Sequence, residues 1–179
     1  PIARYDEASL RYVLTLAMDA EMIVTIGVAS VGDHDIVGKV AMDMGLDRAF
    51  YKVAMRPGKP LMAGKIADKT NGTMMLGLPG NPVSSLVTGH LFMLPALNKM
   101  LGLGANPVPT TQATLTTDLP SNGARAHYMR ATSLGTDVTP LGNQDSALMR
   151  ILSEADTLII RAPHAPAVTA GTPVDVIRL

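Results

Sequence analysis

Two carboxylates, Asp33 and Asp35, stand two residues apart in "TIGVASVGDHD", behind the apolar lead of Met22, Ile23 and Val24. Carboxylate oxygens are hard ligands, and one or two of them with substrate phosphates commonly hold Mg²⁺. The same residues could instead cap the following helix, and His34 between them fits an exposed loop position or a ligand. A second group is basic. Lys52, Arg56 and Lys59 fall close together in "KVAMRPGKP", with Pro57 and Gly58 turning the chain between the last two. Two cations held on one side of a turn suit an oxyanion; a solvated turn is the plainer reading. Third comes "LPGNPVSS", where Asn81 is a good N-cap, Pro82 fits the first helical position, and Ser84 and Ser85 add hydroxyls beside unpaired N–H groups. It also reads as a well-made helix start with no ligand. Arg130 in "HYMRA" and Ser146 in "GNQDSA" complete the set, each by itself structural or surface in character.

The elements that must position these groups follow from periodicity. Leu10, Val13, Leu14 and Ala17 recur at helical spacing behind Asp6 and Glu7. "EMIVTIGVAS" has the β-branched, non-alternating character of a buried strand. Ile36, Val37, Val40, Ala41 and Met44 share a helical face, with Gly45 as a stop. "AFYKVAM", "LMAGKIA" and "GTMMLGLPG" are further strand candidates. The longest helix is expected over 81–102, kinked or broken at Pro95, which removes a backbone bond at a cost of about 3 kcal/mol. Strands alternating with helices imply an α/β fold with a mostly parallel sheet. In such sheets ligands bind at the carboxyl edge, where a strand turns into a helix N-terminus.

The texture changes after residue 104. "LGANPVPTT" reads as a linker, and the Thr-rich segments "TTQATLTTDL", "AHYMRATSL", "DTLIIRA" and "TPVDVIRL" as a small all-β unit interrupted by one helix near 146–155. Two domains are therefore expected, 1–104 and 105–179.

Composition limits the chemistry. There is no Cys, which excludes disulfides, thiol catalysis and Cys-ligated zinc. Aromatics are only 3% while Met numbers 12, so the core must be aliphatic with Met filling gaps. Few stacking side chains and zero formal net charge argue against nucleic acid as a partner. No apolar run approaches the roughly 20 residues of a membrane span. The N-terminus lacks a signal-peptide pattern, so a cytoplasmic protein is expected. The chain starts without Met and in the character of a continuing element, as part of something longer would. Phosphate-binding P-loop, G-x-S-x-G and H-E-x-x-H patterns are missing.

The order "TIGVASVGDHD", "YKVAMRPGKPLMAGK", "GLPGNPVSSLV" closely resembles the molybdopterin molybdotransferase family, the MoeA proteins and the gephyrin E domain. The three motifs together are specific, and the likeness runs over about 5–179. It implies a molybdopterin-binding α/β domain, lacking its N-terminal part, followed by a small β-barrel. It further implies insertion of molybdenum from molybdate into adenylylated molybdopterin, with release of AMP, Mg²⁺ as cofactor, and a homodimer. By the same likeness Asp33 and Asp35 serve metal and pyrophosphate, Arg56 and Lys59 belong to the basic turn that binds molybdate, and Lys52 matches a lysine of the pattern nearby, all five counted as catalytic. Ser30, Gly32, Pro79, Gly80, Asn81, Pro82 and Ser84 fall to the pterin-nucleotide pocket. Arg130 and Ser146 fall to oxyanion contacts from the barrel. One departure is Val28, where the family usually has Gly. Alternatives are a molybdopterin adenylyltransferase-like enzyme and a non-catalytic pterin-nucleotide-binding or scaffold module. The β unit and the "RPGKP" turn favour the molybdotransferase.

Overall fold

The computed structural model describes residues 2–27, 36–66, 72–145 and 149–179. By contact density they form two compact units, Pro1–Val53 with Gly58–Gly80, and Ala54–Pro57 with Asn81–Leu179.

The first unit is α/β. Helix α1 (Glu7–Leu16) starts at Asp6, whose side chain accepts the Ser9 N–H at 2.7 Å. It buries Leu10 and Leu14 at the expected i, i+4 spacing. Helix α2 (Ile36–Asp43) buries Val37, Val40 and Ala41. The two helices share a core with Ile23, Leu46, Met62, Ile66 and Met75 from the sheet. That sheet holds β1 (Met22–Ile26), β2 (Leu46–Tyr51), β4 (Met62–Ile66) and β5 (Thr73–Leu78) in the order β1-β5-β4-β2.

Two expectations are corrected here. Only β1–β5 is parallel, whereas β4 runs antiparallel to both β5 and β2. The links β2–β4 and β4–β5 are shorter than the dozen or so residues a parallel crossover requires, so the sheet is not mostly parallel among the described strands. Strand β1 is also not buried throughout. Ile23 faces the helices, while Val24 and Ile26 are 38% and 70% exposed. The strand that comes nearest to full burial is β5, where five of six described residues are buried.

The expected "AFYKVAM" strand divides as well. Its first part belongs to β2, and Met55–Arg56 form a separate short strand, β3, in the second unit. There β3 pairs in parallel with β7 (Ala126–Leu134).

The second unit is a closed barrel of β7, β8 (Asp137–Pro140), β6 (Thr111–Leu115), β10 (Pro173–Arg178) and β9 (Thr157–Arg161), sealed by the β7–β9 pairing. Leu115, Ala131, Val138, Ile159, Val174 and Val176 fill it. Closure removes the free edges a small sheet would expose. A short helix, α5 (Met149–Glu154), precedes β9. Helix α3 (Pro82–Thr88) runs into a π turn, Gly89–Met93, and then α4 (Leu94–Met100). The expected break at Pro95 takes this form. Pro95 has no N–H and its ring crowds the carbonyl four residues back, and one wide turn, with the Leu94 N–H reaching Gly89 O, accommodates it.

Candidate functional site

Gly27 follows β1 and Gly80 follows β5, and these parallel neighbours bring the two turns together in the first unit. The Gly27 N–H donates to Leu78 O at 3.2 Å. A Cβ on Gly80 would stand 3.1 Å from the Gly27 Cα. Gly27 has φ +101°, a conformation L side chains rarely adopt. The two turn edges thus meet backbone against backbone. Pro79 is buried behind this contact and Gly80 is exposed.

Lys52 and Lys59 lie on the same unit. The β2–β4 ladder continues past its strands, with Lys52 N–H to Leu61 O at 2.9 Å and Val53 N–H to Lys59 O at 3.0 Å. Both lysines are exposed. Lys52 is held at φ +69°, unusual for a residue with a Cβ. Its ammonium sits 4.9 Å from the Tyr51 ring centre, and Arg48 lies at the same distance from that ring. Two cations on one aromatic side chain orient the Lys52 amine without consuming its charge.

Arg56 belongs to the second unit. Its Nη2 donates to Asn122 Oδ1 at 3.1 Å. The Asn122 amide in turn reaches the carbonyls of Arg125, Arg161 and Ala162 at 2.9, 3.1 and 2.7 Å. Across β3, β7 and β9, Arg56, His127 and Arg161 occupy one register row. Burial first, then Arg56, Arg130, Arg125 and Arg161, push the His127 pKa down to about 4. The imidazole is therefore neutral at physiological pH. With Ser121, these residues line a cleft of about 180 Å³.

Arg130 is 1% exposed. Its backbone N–H and Nε reach Gln144 Oε1, at 2.9 and 3.4 Å, and Nη1 donates to Asp145 O at 3.0 Å. Gln144 returns its amide to the carbonyls of Arg130 and Leu141. Burial lowers the Arg130 pKa, and Asp145 opposes that shift. The guanidinium thus binds residues 141–145 to β7. Asn81 caps α3 as expected, accepting from Val83 N and Ser84 N at 3.1 and 3.4 Å. Pro82 occupies the first turn and Ser84 is buried.

Ser30, Gly32, Asp33, Asp35 and Ser146 lie outside the described residues, as do Val28 and His34. Among the described residues no group of three or more His, Asp or Glu is placed to hold a metal ion. The sequence reading passed over Asn122, His127 and Arg161. Period-two alternation carried a usable signal, since His127 shares a face with Met129 and with Ala131, which fills the barrel.

The described residues thus form an α/β unit with a glycine-edged turn and a closed five-stranded barrel with clustered bases at one end. Residues 2–99 match the family described as "Probable molybdopterin binding domain", and residues 112–179 match the MoeA C-terminal region (domain IV). The chain belongs to the MoeA family. Molybdopterin molybdenumtransferase 2 of Mycobacterium tuberculosis is 35% identical over 170 residues, covering 89% of this chain and 40% of the relative. Molybdopterin molybdenumtransferase of Staphylococcus epidermidis is 30% identical over 175 residues, covering 96% and 41%. The molybdopterin biosynthesis MoeA protein of Pyrococcus horikoshii superposes with a TM-score of 0.79 at 25% identity, covering 98% of this chain and 42% of that one. A molybdenum cofactor biosynthesis protein of Pyrococcus furiosus shares the fold, with TM-score 0.73 at 19% identity and coverage of 97% and 55%. The chain spans about two fifths of the length of these curated relatives. Among the described residues no helix is long and apolar enough to cross a membrane.

Proposed function

We propose that this chain acts in molybdenum cofactor biosynthesis as the C-terminal part of a molybdopterin molybdotransferase. The reaction is insertion of molybdenum from molybdate into adenylylated molybdopterin, with release of AMP. The observation that carries this reading is the ordered pair of family matches, a molybdopterin-binding region followed by the MoeA C-terminal barrel. The barrel is what favours it over an adenylyltransferase-like enzyme. The names of the M. tuberculosis and S. epidermidis relatives agree with it.

In this reading the phosphate-bearing pterin is bound through Ser30, Gly32, Pro79, Gly80, Asn81, Pro82 and Ser84, the residues the family motifs mark. Lys52, Arg56 and Lys59 supply positive charge for molybdate, a tetrahedral dianion that a preorganised set of cations stabilises better than water does. Arg130 and Ser146 add oxyanion contacts from the barrel. Asp33 and Asp35 are the hard oxygen donors Mg²⁺ takes, and they would hold it. The ion supplies charge neutralisation at the pyrophosphate. A cytoplasmic homodimer, with domains over 1–104 and 105–179, completes the proposal.

The test is an assay of purified chain with adenylylated molybdopterin, Mg²⁺ and molybdate. AMP release that depends on molybdate is expected. Tight pterin-nucleotide binding without turnover assigns a binding module instead. Arg56→Ala and Lys59→Ala should each raise the molybdate requirement far more than they alter the melting temperature. Equal losses of stability and activity would overturn their assignment.

A further inference from the structure

Strand β8 ends at Pro140, and beyond it a single side chain takes over that edge of β7. The Leu141 N–H still donates to Arg130 O at 2.9 Å. The Arg130 N–H then meets Gln144 Oε1 at 2.9 Å, and Arg130 Nε reaches the same oxygen at 3.4 Å. On its other side the amide donates through Nε2 to Arg130 O and Leu141 O, at 2.9 and 2.7 Å. Two N–H donors facing one atom and two carbonyls facing the other leave the amide a single orientation.

One oxygen thus ties the Arg130 guanidinium to the backbone N–H of its own residue, which restricts the torsions between them. Nη1 adds a bond to Asp145 O at 3.0 Å. Arg130 is 1% exposed, and burial works against its charge. Buried charges are ordinarily paired with an opposite charge. Here the bonds go to a neutral amide and a backbone carbonyl, so the guanidinium is oriented and keeps its charge. Glutamate has nearly the same shape, but it would cancel that charge and set an oxygen against the Arg130 and Leu141 carbonyls. No donor of Arg130 is both enclosed and unpartnered, so any donor the clamp does not use is bonded or open to another oxygen.

We propose that Gln144 is a positioning residue for the oxyanion contact of the barrel. It fixes the direction of the Arg130 guanidinium without neutralising it, and it anchors to β7 the two residues that lead to Ser146. The inference rests on the reading of Arg130 and Ser146 as oxyanion contacts, and adds a residue which that reading does not name.

The experiment follows two quantities in the intact chain: the NMR signal of the Arg130 Nε–H, and the molybdate dependence of AMP release. In the wild type this N–H should exchange slowly with water and shift as molybdate is added. Gln144→Met keeps the volume and removes the clamp. It should speed the exchange and raise half-saturating molybdate at least about tenfold, a factor worth 1.4 kcal/mol. The rate at saturating molybdate should fall by less than about twofold, as expected for lost binding rather than lost chemistry. Gln144→Glu keeps the acceptor, so the Nε–H stays protected, yet its charge pairs with the guanidinium and the molybdate requirement still rises. Support of the fold alone would not produce that combination. If Gln144→Met does not fold, Gln144→Glu decides by the same comparison. Rapid exchange of the Arg130 Nε–H in the wild type overturns the proposal. A protected Nε–H that molybdate leaves unmoved sinks the oxyanion reading, and the role of Gln144 with it. A molybdate-responsive Arg130, with the folded variants at the wild-type requirement, sinks the role of Gln144 alone.

Discussion

Arg56 donates to the side-chain oxygen of Asn122 across 3.1 Å, joining residues 66 apart in sequence. The two partners have unequal stakes. Arg56 is exposed, so its own contribution to stability should be at most about 0.5–1 kcal/mol. Asn122 also shares its two amide hydrogens among three backbone carbonyls, and removing it leaves them short of donors at about 1–3 kcal/mol. Asn122→Ala should therefore destabilise the chain by about 2 kcal/mol more than the small effect of Arg56→Ala. Urea denaturation measures both, and equal costs would show that Asn122 is not the anchor.

The two glycines after β1 and β5 give a second prediction. Gly80→Ala places a methyl 3.1 Å from the Gly27 Cα, where backbone must give way. Gly27→Ala meets open space but a strained φ of +101°. Each should cost about 1–2 kcal/mol. Relief of the strained φ would shift the Gly27 Cα, the atom a Gly80 methyl meets, so the double variant should depart from the sum. Strict additivity in thermal melts would mean the turns do not press on each other.

How far these features could be read from sequence depended on whether their causes were local. The cap at Asn81–Pro82 and the break at Pro95 were legible, because each rests on a few adjacent residues and on what proline lacks. Strand direction was not. Whether β4 runs with or against β5 is decided by how the chain returns, and "LMAGKIA" carries no mark of it. The exposed face of β1 was hidden for a similar reason. "MIVTI" is apolar throughout, and only the placement of α1 and α2 decides which side is covered. The basic turn was legible as a motif, but its Arg56 pairs beside a strand that begins at Ala126. His127 and Arg161, 34 residues apart, meet only when the barrel closes. The carboxylates Asp33 and Asp35 lie outside the described residues, so their choice between helix cap and metal ligand rests on the family motif.

Lys52 gives a third prediction. Its φ of +69° carries a strain of about 1 kcal/mol that glycine would relieve. Lys52→Gly should hold or raise the melting temperature, while lowering affinity for molybdate through loss of the oriented ammonium. A fall in both would mean that the Tyr51 contact outweighs the strain and that Lys52 serves the fold.

The last prediction is a pH dependence with a definite sign. His127 is 5% exposed and its pKa is depressed to about 4 from an ordinary 6.5. Between those values the unfolded chain binds a proton at this residue and the folded chain does not. Stability therefore rises with pH across that window, and is lost as pH falls from about 6.5 towards 4. A shift of this size corresponds to about 3 kcal/mol, an upper bound where water reaches the ring. Wild type and His127→Gln should differ in the slope of unfolding free energy against pH within that window and run parallel above pH 7. Asp156, whose carboxyl pKa is lowered, titrates below the ordinary carboxylate range and is common to both chains, so it cancels in the difference. Profiles of equal slope would mean that His127 takes up its proton as readily in the fold as in the unfolded chain, and that burial and the arginines do not depress it.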